Sequence, residues 1–221
     1  MPSAVPDVLV PLLEAGPVPQ PAFAWPRSSW AGWTGGIDGA GPLVSALPER
    51  IDRQVVVDVV RRDRDAATAN AFIAVMIWGY GYAGYGPYRT VRVLSGAPHP
   101  EGRPASVPVL ERLREGARLA ADEGAVAGFR YLNNAPGKIP NLGSSYFTKW
   151  LFFASLAQPG ASEVAPILDV RVRNWLASRT GITLALGQTE DYGRFIGLLR
   201  DWGEPYGWQP HEVEEAIFEL V

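Results

Sequence analysis

The sequence of 221 residues contains no cysteine, which excludes disulfides, zinc–thiolate sites and iron–sulfur clusters. Histidine occurs only as His99 and His211, which we expect in a surface loop and at a helix start, so no metal or other cofactor is expected. No uninterrupted apolar run reaches the roughly 18 residues of a membrane span. The proline-rich residues 1–26 lack the basic start of a signal peptide. We therefore expect a cytoplasmic protein that needs no membrane.

Lysine is also scarce, because 18 of the 20 basic residues are arginine and only Lys138 and Lys149 are lysine. A GC-rich genome would explain this bias through its codons. Under such codon pressure, a lysine that is kept is expected at a position where arginine cannot take over its role. Lysine alone of the two can act as an amine nucleophile.

The formal net charge of −3 argues mildly against a large non-specific nucleic-acid surface. The arginines nevertheless fall into groups, which leaves room for a local positive face. These groups are Arg61, Arg62 and Arg64, then Arg89 and Arg92, and finally Arg171, Arg173 and Arg179.

Apolar residues recur at helical spacing along most of the chain, and no alternating pattern of useful length predicts a strand. We therefore predict an all-α fold. The predicted helices cover residues 66–78, 104–121, 146–157, 188–202 and 210–221, with others beginning near residue 48, around residues 129–132 and directly after Asp169. Glycine-rich loops are predicted at residues 79–90 and 133–145.

Residues 1–45 are rich in proline, glycine and tryptophan and show no sustained periodicity. We interpret them as an irregular arm that Trp25, Trp30 and Trp33 pack onto the rest of the chain. Residues 46–221 are predicted to form one helical domain with a hairpin at about residues 133–148. Ser144 or Ser145 is the expected N-cap of the helix that follows the hairpin.

Lys149 lies in the segment SYFTKWLFFASLA, where apolar residues occupy nearly every helical face. Such a helix should be buried, and a buried ammonium group is costly unless something compensates it. One interpretation is that Lys149 extends its stem along the surface and places its charge in water. The other is that partial removal from water favours the neutral, nucleophilic amine.

Asp169 stands twenty residues after Lys149, directly before another helix. Its carboxylate could cap that helix by accepting backbone N–H bonds, which favours the ionised form. The connection between the two residues is short enough to fold back. The amine and the carboxylate could therefore face one cleft.

This region resembles the helix-hairpin-helix DNA glycosylases that excise 8-oxoguanine, and in particular their bacterial and archaeal branch. The similar stretch, residues 139–176, reads IPNLGSSYFTKWLFFASLAQPGASEVAPILDVRVRNWL. It combines a hairpin loop, a helix bearing lysine and a Pro-x-x-Asp-Val sequence about twenty residues later. Asn141 stands where the eukaryotic branch has the middle glycine of its hairpin, and Lys149 follows Gly143 by six residues. The resemblance implies two helical lobes with a cleft between them.

The resemblance also implies an enzyme that acts on double-stranded DNA by extruding a damaged or modified base, with 8-oxoguanine as the first expectation. Lys149 would attack C1′ and form a Schiff base, while ionised Asp169 stabilises the positive charge that develops on the sugar. The imine would permit β-elimination, which is AP-lyase activity. The family acts as a monomer, so no protein partner is expected.

In the family, the last helix offers a polar side chain to the base edge and an aromatic ring four residues later to its face. Glu214 and Phe218 have this spacing, and Trp78 is a further candidate for the base pocket, with Tyr80, Tyr82, Tyr85 and Tyr88 as other possible walls. Glu214 and Phe218 could instead belong to an ordinary amphipathic helix, and the Gly/Tyr segment could be a packed surface loop. The residues expected at the DNA backbone are Lys138, Gly143, Arg171 and Arg173.

Three other interpretations stay open at this point. The chain could excise a hypermodified base, such as a modified cytosine in phage DNA, and so act in anti-phage defence. It could be a non-catalytic DNA-binding module that kept the fold. It could also be an all-α interaction protein unrelated to DNA.

Overall fold

The computed structural model describes residues 4–161 and 163–221, which form twelve α-helices, one 3-10 helix and two very short strands. This confirms the predicted all-α fold. The first elements are α1 (Val10–Ala15), β1 (Phe23–Ala24), α2 (Arg27–Thr34), α3 (Ala40–Ala46), β2 (Arg50–Ile51), α4 (Arg53–Asp63), α5 (Thr68–Tyr80) and α6 (Gly86–Ser95). The later elements are α7 (Val107–Asp122), α8 (Ala125–Asn133), α9 (Ser144–Leu156), α10 (Val170–Thr180), α11 (Thr189–Gly203), the 3-10 helix Glu204–Tyr206 and α12 (Pro210–Glu219). In this part of the chain no helix is both long and apolar enough to cross a membrane.

The first 45 residues are more regular than predicted, since they contain α1, α2, α3 and β1. These helices are six to eight residues long, which is too short to show a sustained apolar period. β1 pairs antiparallel with β2, and the Trp25 indole Nε1 donates to the Pro48 carbonyl oxygen at 2.9 Å. Trp25 and Trp30 are buried in the core that the later helices also form. The boundary at residue 45 stays a prediction.

Helices α5 and α9 lie at the centre because both are apolar on almost every side. Residues 71–77 of α5 and residues 150–154 of α9 are fully or almost fully buried, and the two helices pack against each other. A helix that is hydrophobic all round has no face to offer to water, so the other helices surround it. This packing places the only lysine of α9 in the interior.

The Gly/Tyr segment is only partly the loop that we predicted for residues 79–90. Helix α5 continues to Tyr80, Gly81 ends it with a positive φ of 53°, and α6 begins at Gly86. A proline in the first turn explains the early start of α6, since the fixed φ of proline suits that position and its missing N–H needs no partner there. The loop is therefore confined to residues 81–85.

Residues 134–143 connect α8 and α9 and lie within the range of about 133–148 in which we predicted a hairpin, and the hairpin itself stays a prediction. Asn141, which we compared with the middle glycine of the eukaryotic hairpin, has a left-handed backbone with φ 66°. Asparagine tolerates that conformation better than most residues, so the substitution is compatible with the turn. The N-cap of α9 is Gly143 and not a serine, because Ser144 and Ser145 already lie in the first helical turn.

Candidate active site

Lys149 and Asp169 form a buried ion pair. The Lys149 Nζ donates to Asp169 Oδ2 at 2.8 Å and to the Ser145 carbonyl oxygen, one turn earlier in α9, at 3.2 Å. Lys149 is 6% exposed and Asp169 is 9% exposed. The alternative in which the lysine extends into open solvent is therefore wrong. Two groups twenty residues apart are brought into direct contact.

Asp169 is the N-cap of α10, as its position before that helix predicted. Its Oδ1 accepts from the backbone N–H of Arg171 at 2.9 Å and of Val172 at 3.2 Å, while Oδ2 accepts from Lys149. Burial by itself would raise the pKa of Asp169, but the charge and hydrogen bond of Lys149 and the two backbone bonds outweigh it and lower that pKa. The carboxylate is thus ionised and fixed in orientation.

A cavity of about 580 Å³ opens above this pair, within the roughly 300–1,000 Å³ typical of small-ligand sites. Lys149 and Asp169 form its buried end. Its aromatic lining consists of Phe23, Trp78, Tyr80, Tyr82, Tyr85, Tyr146 and Phe218. An apolar, aromatic wall around one charged pair suits a flat, partly polar ligand.

The aromatic residues of the Gly/Tyr segment divide between wall and rim. Tyr80 stacks on Tyr146 with ring centroids 4.3 Å apart and forms part of the wall. Tyr82 is 70% exposed and Tyr85 is 55% exposed at the rim, where the cavity meets solvent. Tyr88 does not line the cavity and packs against Trp33 instead.

Two of the three residues expected at the base line the cavity, namely Trp78 and Phe218. The Trp78 Nε1 donates to the Gln20 side-chain oxygen at 3.2 Å, and the Arg171 guanidinium lies 5.7 Å from the centre of the Phe218 ring. Glu214, the third, lies behind the wall and is 1% exposed. It does not belong to the cavity lining.

Of the residues expected at the DNA backbone, only Arg171 lines the cavity. The Arg173 guanidinium donates to the neighbouring Asn174 side chain. Lys138 and Gly143 are exposed in the connection between α8 and α9. These three remain available for contacts outside the cavity.

Sequence reasoning missed the contribution of the N-terminal arm, where Gln20 and Phe23 reach the cavity. No local pattern marks either residue. Their position follows from the pairing of β1 with β2 and from the Gln20 contact with Trp78. Among residues 4–161 and 163–221 no group of three or more acidic or histidine side chains is arranged to hold a metal ion.

The chain matches a known protein family. A family profile described as "Putative 8-oxoguanine DNA glycosylase OGG-like protein" matches residues 16–218. No curated protein and no solved structure matches the chain. The matched range includes the arm residues at the cavity, both members of the ion pair and Phe218.

Proposed function

Since the chain belongs to the OGG-like family, we propose that it is a DNA glycosylase that excises 8-oxoguanine from double-stranded DNA through a Schiff base on Lys149. The observation that carries this proposal is the contact of Lys149 Nζ with Asp169 Oδ2 at 2.8 Å, at the buried end of an aromatic cavity. We further propose that the protein acts as a monomer and has AP-lyase activity.

The shape of the cavity supports a flipped nucleotide as the ligand. An enzyme that cleaves the bond between a base and its sugar must take the nucleotide out of the stack. The Phe218 and Trp78 rings offer flat faces to an extruded base. Arg171 lines the same cavity and can contact the displaced phosphate.

The reaction uses the proton that Lys149 holds in the ion pair. Nζ first passes one ammonium proton to the base, which frees the nitrogen lone pair. The lone pair then bonds to C1′ as the bond from C1′ to the base breaks, and the base leaves as a neutral molecule. Opening of the sugar ring then moves a second N–H proton to O4′ and leaves a protonated imine between Lys149 and C1′.

Two fates follow for the imine. Addition of water releases the sugar aldehyde and restores the lysine, which completes base excision. Loss of a C2′ proton with departure of the 3′ phosphate cleaves the strand, which is the proposed lyase step.

Asp169 contributes to these reaction steps through its charge. Positive charge develops on the sugar as the base departs, and an ionised carboxylate held at a fixed place stabilises it without reorganisation. The two backbone hydrogen bonds to Oδ1 hold Asp169 in the position in which its Oδ2 contacts the Lys149 amine. These bonds also make Asp169 a poor nucleophile, which leaves attack to the amine.

Borohydride trapping tests the proposal. Duplexes that carry 8-oxoguanine, a hypermodified cytosine or only normal bases are incubated with the protein and sodium borohydride, which reduces an imine to a stable amine. We expect a covalent adduct with the 8-oxoguanine duplex that Lys149→Gln does not form.

The matched control is Lys138→Arg, which removes the second side-chain amine but keeps its positive charge, and it should trap as the unchanged protein does. Trapping by Lys149→Gln at the original level would place the nucleophile elsewhere. A preference for the modified cytosine would favour the defence function, and DNA binding without any adduct or excision would favour a non-catalytic module.

A further inference from the structure

Glu214 is the most deeply buried acid near the ion pair. It lies in α12, one turn before Phe218, and is 1% exposed. Within the described part of the chain neither of its carboxylate oxygens has a hydrogen-bond partner. An ionised carboxylate in such a place would be very costly, so the side chain lowers its free energy by keeping a proton.

Arg53, the cation that acts most strongly on Glu214, does not donate a hydrogen bond to it. Arg53, from α4, forms an ion pair with Glu215 and lies 5.4 Å from the ring centres of both Trp78 and Phe152. Its charge is therefore already shared with another carboxylate. Burial raises the pKa of Glu214 to about 8, although Arg53 opposes this shift.

The other groups that act on Glu214 come from α9, the start of α10, α11 and α12 itself. Lys149 from α9 lowers its pKa, while Asp169 at the start of α10 and Glu215 in α12 raise it. Tyr192 from α11 interacts with it at longer range and holds its own proton, since burial raises the pKa of Tyr192 well above its ordinary value.

Other titratable groups on α12 and on the elements packed against it include His211, Glu14 and Arg171, whose guanidinium lies 5.7 Å from the centre of the Phe218 ring. His211, one turn before Glu214, has a pKa lowered by burial and is thus neutral near pH 7. Glu14, the titratable residue of α1, is exposed to solvent. Among the described residues none of these groups donates a hydrogen bond to Glu214.

We propose that Glu214 is a positioning residue whose bound proton keeps its own carboxyl group uncharged, so that Lys149 can release its proton and attack. This inference rests on the proposed function, because it concerns the same amine. An ionised Glu214 would place a second negative charge beside the pair and hold the proton on Nζ. The role differs from a contact with the base edge, since Glu214 lies behind the cavity wall.

Because the chain has only two lysines, the reactivity of each can be followed separately and without DNA. Formaldehyde and dimethylamine–borane methylate free amines, and mass spectrometry of the Lys149 and Lys138 peptides reports each rate between pH 6 and pH 10. In the unchanged protein we expect methylation of Lys149, relative to Lys138, to fall by about tenfold above pH 8. Glu214→Gln keeps the size and the neutral state of the side chain, and it should abolish this fall.

Glu219→Gln is the matched control, because it removes an exposed carboxylate from the same helix and should behave as the unchanged protein. Parallel pH profiles for the unchanged protein and Glu214→Gln would overturn the inference. If Glu214→Gln does not fold, a second measurement on the unchanged protein tests the inference instead. The unchanged protein should show the infrared carbonyl band of a protonated carboxyl group at pH 7, and absence of that band would also overturn it.

Excision kinetics then separate this inference from the proposed function. Under single-turnover conditions the unchanged enzyme should lose activity above pH 8 by about tenfold, and Glu214→Gln should not. A change of base preference in Glu214→Gln at every pH would instead assign the residue to base recognition and overturn the positioning role. If no base is excised at all, the proposed function fails, while the methylation profile still decides the role of Glu214.

Discussion

Gly79 and Lys149 lie so close that no side chain fits between them. A Cβ placed on Gly79, in the last turn of α5, would lie 2.9 Å from the Cδ atom of Lys149. Real Cβ atoms do not approach other atoms so closely, so any side chain at residue 79 must displace the lysine stem. Gly79 therefore gives Lys149 the space in which its amine reaches Asp169.

Gly79→Ala is expected to impair catalysis more than folding. The methyl group moves the Lys149 stem, and a misplacement of about 1 Å at a reacting group can cost about a hundredfold in rate. We expect borohydride trapping to slow by 10- to 100-fold, with a nearly unchanged free energy of unfolding. The control is Gly197→Ala in α11, where an added Cβ meets nothing within 4 Å. It should trap normally and gain up to about 1 kcal/mol from helix propensity.

Substitutions of Asp169 should separate its charge from its capping bonds. Asparagine caps helices as well as aspartate does, whereas alanine does not, so Asp169→Ala should be about 1 kcal/mol less stable than Asp169→Asn in urea unfolding. Both variants lose the negative charge, and both should excise the base about 100- to 1,000-fold more slowly. Full activity of Asp169→Asn would show that the charge has no role in the reaction.

Arg171→Gln should weaken DNA binding and reduce its dependence on salt. The logarithm of the DNA association constant falls linearly with the logarithm of the salt concentration, and each phosphate contact that is lost makes this slope less steep by about 0.9. Arg179, at the other end of α10, does not line the cavity and provides the matched control as Arg179→Gln. Titration of a duplex at several salt concentrations measures both slopes, and equal slopes for the two variants would contradict a phosphate contact of Arg171.

Tyr82→Ala should affect DNA binding and leave stability unchanged. The ring is 70% exposed at the rim, so its removal takes little from the core. If the ring stacks on a base, the affinity for the damaged duplex should fall by about 1–3 kcal/mol. Val107→Ala removes another exposed apolar side chain, one that does not line the cavity, and should leave the affinity unchanged. An unchanged affinity of Tyr82→Ala would exclude the stacking contact.

Glu214 should make stability depend on pH. The pKa of Glu214 rises from an ordinary 4.5 to about 8 in the folded protein, so the unfolded chain releases this proton at lower pH. Its contribution to stability is complete below about pH 4.5 and is lost as the pH rises to about 8. Glu214→Gln does not titrate, and its free energy of unfolding relative to the unchanged protein should rise by roughly 2–4 kcal/mol between pH 5 and pH 8. A constant difference across that range would contradict the raised pKa.

Features that depend on neighbours along the chain could be predicted well. The apolar residues around Lys149 indicated a buried helix, and the position of Asp169 before an apolar helix indicated an N-cap, which the bonds to Arg171 and Val172 confirm. Local features also explain two of the errors of detail. The short helices of the first 45 residues carry too few periods to be recognised, and the early start of α6 depends on a single proline in its first turn.

Features that depend on distant segments could not be predicted in this way. Nothing near Gln20 or Phe23 indicates that they meet a cavity formed by α5 and α9. Glu214 has the spacing of a base-contacting residue, yet the packing of α12 buries its carboxylate behind the cavity wall. Spacing along the sequence decides which residues share a helical face. The packing of other elements against that face decides whether its side chains meet a cavity, the core or solvent.

Because periodicity and capping act over a few residues, the order of amino acids was enough to predict a helical protein with one lysine in an apolar helix and a capping aspartate twenty residues later. The packing of distant segments brings the amine and the carboxylate to 2.8 Å, leaves room for the lysine stem at Gly79 and seals Glu214 from solvent. Those relationships arise when segments far apart in sequence pack closely, and close packing leaves each side chain only the space that its neighbours do not occupy.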